Sequence, residues 1–505
     1  MNVHHNLLQR CLKYLSFTRN KFVMKHHLYF SMVCISLCLT FSAAAFSQQS
    51  FDNWLKNPLL KNASVGLLVI DARTGDTLFQ HNPRLSLTPA SCMKLFSTAT
   101  ALEVLGKDYS FSTEIACSGV PDSAGTLHGN VYIIGYGDPC LGSDRFADYY
   151  LKPLNFIGEW VKAIKNAGIK KIDGCVIGDP SQFCYPFQPG SWLYEDVGNY
   201  YGAPVSGLSI YENMYKLHFG TGISDGDSTL LLGMEPQIPG YTFINKVISA
   251  TKGGDQSFII GGSGCSSKTI IGSLPVKQTR FTIKGSVDNP PLWAAQLLSE
   301  ALAKNGVTVT QTARSLPEGE YRPPVKVLYT TKSPPLKRIC DATNLWSLNL
   351  YAEHLAIASA QQLQATPTTW FPKIVEFWKN KGMDTDGLQM MDGSGLSVFN
   401  TVTVSQLVYL LRYMHYNAKT QGTLMTTLPV AGNSGTLTRY CQYGTGKGKI
   451  HAKGGSMKGV RAMAGYARPD SGKEIVFAVI INHYDDSKGD IKKHVEDLLN
   501  IIAAL

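Results

Sequence analysis

The chain has 505 residues, 44% hydrophobic and 17% charged, with 47 lysines and arginines against 37 acidic residues. It is too long for one average domain and too apolar for a disordered or fibrous chain, so two or three globular domains are expected. The formal net charge of +10 is weak support for a nucleic-acid partner, because half of it lies in a leader.

That leader is read from a basic stretch at residues 24–27, an apolar run at 28–41 and the small residues of SAAAFSQQ. A charged start, an apolar core and a small-residue cleavage site are the marks of a secretory signal peptide. Residues 1–47 are assigned to it, with cleavage after Ala45 or Ser47 and translation starting at Met1 or Met24. The apolar run is shorter than the ~20 residues that span a bilayer, so no transmembrane segment is expected after processing. Arg10, Lys13, Arg19, Lys21 and Lys25 leave with it and no acid does, so 42 cations remain against 37 acids, a net +5. A mild positive excess suits an anionic cell envelope, and no nucleic-acid partner is expected. Of the 11 cysteines, Cys11, Cys34 and Cys38 are also in the leader. The other eight show neither a CxxC pair nor a zinc-ligand spacing, so no metal or cofactor is expected. Export permits disulfides but does not fix their pairing. Cys92 is expected to stay unpaired and partly buried.

In chain order, residues 64–83 read as a β-hairpin turning at 73–76. The stretch TPASCMKLFSTATALEVLG (88–106) reads as an apolar helix, with Thr88 as N-cap and Pro89 at its first position. From about 111 to 284 the chain changes to short alternating runs broken by Gly, Pro, Asp and Ser, with one helix near 156–167. Helical periodicity returns at 290–307, with Gly306 as C-cap, then at 345–363 and 403–416. Three antiparallel strands follow, the last two joined by the turn at 469–472. A helix over 490–505 closes the chain; packing on a core explains its broad apolar face more economically than contact with a membrane. The expected architecture is an α+β catalytic domain from residues 48–112 and 285–505, interrupted by mainly-β inserted domain(s) at 113–284.

Three polar fragments carry chemistry. Ser91 falls in the first turn of its helix, where free backbone N–H groups meet an oxyanion. Lys94 lies one turn on, on the same face. The helix around it is apolar, and burial lowers a lysine's pKa, so Lys94 can take the serine proton. This pair reads as nucleophile and general base. Ser347 and Asn349 can place a hydroxyl near that pair and an amide toward a substrate carbonyl. Lys453-Gly454-Gly455-Ser456 reads as a strand on which the glycines admit a substrate backbone. There Lys453 can bind a carboxylate, and the Ser456 N–H can serve as an oxyanion donor. Each fragment alone is better read structurally, as a helix residue pair, a helix start or a surface turn. Their order along the chain is the informative feature. Asp392 and Ser394 are expected in a turn, and Glu353 and His354 in structural roles. There is no HExxH, P-loop or GxSxG pattern, which removes support for metalloprotease, nucleotidase and α/β-hydrolase readings.

With these motifs, and with the segments at 129–141, 195–215, 392–397 and 460–468, the chain resembles the low-molecular-mass penicillin-binding proteins of the D-alanyl-D-alanine carboxypeptidase/endopeptidase type, peptidase family S13. The resemblance implies a transpeptidase/serine β-lactamase-like fold, an antiparallel sheet covered by helices. It implies a Ser91 acyl-enzyme, activation by Lys94, and proton relay and orientation by Ser347 and Asn349. Lys453, Gly454, Gly455 and Ser456 become substrate-binding residues. Peptidoglycan stem peptides are the implied substrates, β-lactams the covalent inhibitors and the periplasm the location. The family usually carries Lys-Thr-Gly. Here Gly454 replaces the threonine and removes a carboxylate-binding hydroxyl, which Ser456 is placed to supply from two positions on. Leu348 stands where aspartate is common. A catalytically weak peptidoglycan- or penicillin-binding protein, and a β-lactamase or esterase on the same fold, are the alternative readings.

Overall fold

The computed structural model describes residues 48–150, 156–262 and 264–505. The leader expected at 1–47 lies outside the described residues. A five-stranded antiparallel sheet forms one half of the molecule, in the order Ile450–Met457, Val460–Ala467, Ile475–Asn482, Ser64–Asp71 and Thr77–His81. The strands come from the two ends of the described chain, as the hairpin and the C-terminal runs require.

The strand Ile475–Asn482 sits in the middle of this sheet and is buried throughout. Its alternation explains how both faces are covered, since successive side chains point to opposite sides. Val476, Ala478 and Ile480 join a core with Leu95, Phe96, Leu407 and Leu411. Phe477, Val479 and Ile481 join another with Val495, Leu498 and Leu499 of the terminal helix Ile491–Ile502. That helix, N-capped by Asp490, spends its apolar face on the sheet. No helix among the described residues is long and apolar enough to cross a membrane.

The helices differ from the sequence reading at two places. The helix expected over 345–363 is two helices, Leu336–Trp346 and Asn349–Gln362. They meet at Ser347, whose φ of 58° is left-handed and ends the first helix. A further helix, Trp370–Asn380, was not anticipated; it places Trp378 in the core with its indole N–H on Thr100.

The insertion also differs from expectation. Its main sheet runs Arg314–Ser315, Val176–Asp179, Val131–Gly135, Ser112–Cys117 and Lys326–Lys332. The last strand pairs with the first of the insertion, Lys332 opposite Ser112. The inserted unit therefore closes near residue 332, not 284, and includes the helix Pro290–Lys304, which supplies Trp293, Ala294, Leu298 and Leu302 to its core. The helix expected near 156–167 is present in it. Val131–Gly135 and Val176–Asp179 are parallel, and the crossover between them carries the helix Phe156–Asn166. A three-stranded antiparallel sheet, Phe281–Ser286, Met214–Gly220 and Leu230–Glu235, extends the unit.

Candidate active site

Ser91 does not sit in the first turn of an α-helix. It lies in a 3-10 turn, Ala90–Met93, and the α-helix proper is Lys94–Val104. Thr88 does not cap the turn; its hydroxyl donates to the Val398 carbonyl. Ala90 has a left-handed φ of 45°, a conformation costly for alanine and kept only where surrounding structure enforces it. Here that structure is the edge strand. A Cβ on Gly455 would stand 2.5 Å from the Pro89 carbonyl oxygen and 3.0 Å from the Ser91 nitrogen. Only glycine lets Ile450–Met457 approach the nucleophile turn this closely.

Lys94 is wholly buried and makes three hydrogen bonds. Its Nζ donates to Ser91 Oγ at 2.9 Å, Asn349 Oδ1 at 2.6 Å and the Ser394 carbonyl at 2.6 Å. The last two partners can only accept. When the amine is neutral, its two N–H groups serve those acceptors and its lone pair is left facing Ser91. The serine hydroxyl must then donate to it. Burial, and then the neighbouring charge of Lys453, push the Lys94 pKa well down, against the pull of Asp392 and Glu353.

Lys453 is equally buried. Its Nζ donates to Ser347 Oγ at 3.0 Å and to the Gly454 carbonyl at 2.7 Å. Burial lowers its pKa to about 8. The left-handed bend at Ser347 is what aims the hydroxyl at the edge strand while Asn349, opening the next helix, turns toward Lys94. The three motifs thus meet in one place.

Some details depart from the sequence reading. The Asn349 amide nitrogen donates to the Tyr201 carbonyl of the insertion at 2.8 Å, so both ends of this amide are engaged by protein. Ser394 enters the site through its backbone carbonyl, which no side-chain pattern signals. Asp392 is the turn organiser expected. It accepts from the backbone N–H of Gly395 and Ser397, from the Asn400 amide and from the Trp192 indole. Glu353 accepts from the N–H groups of Gly393 and Ser394 at 2.9 and 2.7 Å, and burial with the nearby Asp392 pushes it up to about 8. His354 is locked between the Gly137 carbonyl and Ser209. Cys92 is fully rather than partly buried; its thiol donates to the Lys453 carbonyl, and burial pushes it up to about 12. All eight described cysteines are free thiols.

Gly454 and Ser456 share the strand face opposite Lys453 and Gly455. A Cβ on Gly454 would meet Met463 Cε at 3.5 Å, an ordinary contact, so packing does not demand glycine there. Ser456 is exposed.

A serine hydrogen-bonded to a buried lysine that opens a helix, packed against an antiparallel sheet, places the chain among the penicillin-binding protein folds. The match to known proteins narrows the class. The chain belongs to the D-Ala-D-Ala carboxypeptidase 3 (S13) family of serine peptidases, whose model matches residues 47–501. It is 32% identical over 451 residues to the D-alanyl-D-alanine carboxypeptidase of Actinomadura sp. (strain R39), covering 86% of this chain and 80% of that one. It is 23% identical over 469 residues to the D-alanyl-D-alanine carboxypeptidase DacB of Haemophilus influenzae, covering 90% and 92%. The crystal structure of penicillin binding protein 4 (dacB) from Haemophilus influenzae superposes with a TM-score of 0.74 at 23% identity, over 90% of this chain and 97% of that one. That protein has also been solved with a bound β-lactam.

Proposed function

We propose that this protein is an exported D-alanyl-D-alanine peptidase acting on peptidoglycan stem peptides through a Ser91 acyl-enzyme. The observation that carries this reading is the set of contacts at Lys94, in which two obligate acceptors leave the amine's lone pair to Ser91. Ser91 Oγ attacks the carbonyl carbon of the penultimate D-alanine as its proton passes to Lys94. The N–H groups of Ser91 and Ser456 receive the oxyanion. The C–N bond breaks as the leaving nitrogen takes a proton through Ser347, whose hydroxyl is held by Lys453. Released D-alanine makes the reaction a carboxypeptidase step; release of a second stem peptide makes it an endopeptidase step. Water then hydrolyses the ester.

A β-lactam offers the same serine a strained amide of similar shape, and the bound β-lactam in the Haemophilus relative supports the same inhibition here. A β-lactamase that deacylates through a carboxylate base needs that carboxylate free to orient water. Glu353 does not fit that role, because both of its oxygens accept backbone N–H groups. Location outside the cytoplasm follows from the leader pattern at 1–47.

A fluorescent penicillin tests the reading. Stable labelling of the wild type and none of Ser91→Ala is expected. A folded wild type that takes no label, or that turns the label over quickly, sinks the acyl-enzyme peptidase. Mass spectrometry of products from a purified cross-linked muropeptide then separates loss of D-alanine from splitting of the dimer.

A further inference from the structure

Beside the candidate active site, on the side of Ser347 and Asn349, a narrow groove lined by Trp346, Tyr200 and Tyr201 leads away from the nucleophile. Glu212 and Met214 line both this groove and a larger cavity of about 660 Å³ in the insertion. The two spaces are therefore neighbours along one path. Trp346 is 54% exposed and Tyr200 46% exposed, large aromatic faces left open to solvent.

The charges in the cavity are unusual. Lys216 and Lys284 stand directly opposite each other on an antiparallel strand pair, and both line the cavity. Like charges in that register repel. Among the described residues neither lysine makes an ion pair. The acids nearby are engaged elsewhere. Glu235, opposite Lys216 on its other side, pairs with His218 at 3.1 Å and Arg280 at 3.5 Å. Glu212 accepts from Ser143, Arg145 and Tyr351. Asp144 is exposed at the rim. Lys284 lies 5.6 Å over the Tyr200 ring, and Arg145 lies 5.6 Å over Trp346. The fold thus holds two facing lysines without an ion-pair partner at the far end of an aromatic groove, an arrangement that an added anion relieves.

We infer that the Lys216–Lys284 pair binds a carboxylate of the second stem peptide when the substrate is a cross-linked dimer, making this cavity a subsite for the leaving half. The inference rests on the acyl-enzyme reading above. In that reading Ser347 hands the proton to the departing nitrogen, so whatever that nitrogen carries is directed along the Ser347 side. A single D-alanine is too small to reach the cavity. A second stem, a peptide with several free carboxylates, extends into it past Trp346 and Tyr200.

The test compares a purified cross-linked muropeptide dimer with a monomeric pentapeptide stem, using wild type and the Lys216→Gln/Lys284→Gln double variant. The double variant should lose about tenfold in kcat/KM on the dimer, mostly through KM, as removal of two partly screened charge contacts implies. Monomer hydrolysis and penicillin labelling should be unchanged. The Lys216→Arg/Lys284→Arg variant should keep dimer cleavage within roughly twofold of wild type, and added salt should weaken wild type on the dimer more than the glutamine variant. Dimer cleavage unchanged in the glutamine variant, or lost in step with monomer cleavage, overturns the inference. So does a wild type that labels and trims monomers but leaves dimers whole. Absent penicillin labelling of wild type overturns the parent reading, and this one with it.

Discussion

Lys94 and Lys453 are both wholly buried, yet the structure equips them differently. Lys94 meets a hydroxyl, an amide oxygen and a carbonyl, two of which can only accept. Lys453 meets one hydroxyl and its own strand's next carbonyl. Burial depresses both, but the neighbouring charge of Lys453 depresses Lys94 further. In the proposed mechanism two lysines in one site therefore divide the work, one tuned toward a base and the other kept cationic at neutral pH.

The division can be broken most directly at Lys94. Lys94→Arg keeps a charge that cannot be given up, and acylation by penicillin should slow about a thousandfold, the scale of a lost general base. Acylation at the wild-type rate would remove Lys94 from that role. The pH profile of kcat/KM sharpens the contrast. Activity should rise with pH as Lys94 loses its proton. It should fall as pH climbs through about 8, where Lys453 loses the charge proposed to bind a substrate carboxylate. Lys453→Arg should remove that descending limb below pH ~10, since guanidinium stays charged; a limb that stays in place would assign it elsewhere.

The next effect probes the turn that carries Ser91. Gly455→Ala puts a methyl against Pro89 and the Ser91 nitrogen. Acylation should drop about a hundredfold from misplacement of the nucleophile, with about 1–3 kcal/mol of stability lost to overpacking, read by denaturant unfolding. Smaller effects belong to the face of Gly454. Ser456→Ala should lower kcat/KM on a D-Ala-D-Ala peptide about threefold to tenfold, one hydrogen bond's worth, and Gly454→Thr should restore it. No loss in the first variant would show that Ser456 does not replace the missing hydroxyl. Smallest of all, native Cys92 should resist alkylation at pH 8, because burial holds its thiol near 12, as peptide mapping would report.

Much of the fold was legible because its signals are local. The alternation in Ile475–Asn482 and the apolar face of Ile491–Ile502 marked the sheet and its cover. The insertion's end was not legible, because Lys326–Lys332 belongs to it only through pairing with Ser112–Cys117 across more than 200 residues. Nor was the break at Ser347, since nothing in LWSLNL marks a left-handed residue in an otherwise continuous helical pattern.

The sequence by itself determined which side chains are available for catalysis, their order, and that Ser91 and Lys94 stand one turn apart. Helix periodicity and short-range spacing suffice for that. Only the tertiary structure decided what surrounds them. The Ser394 and Tyr201 carbonyls, the clamp of Gly455 on Pro89, and the proximity of Lys453 to Lys94 are contacts between segments far apart in the chain. A backbone carbonyl has no residue signature, and the pKa of a buried lysine depends on which charges the fold brings beside it.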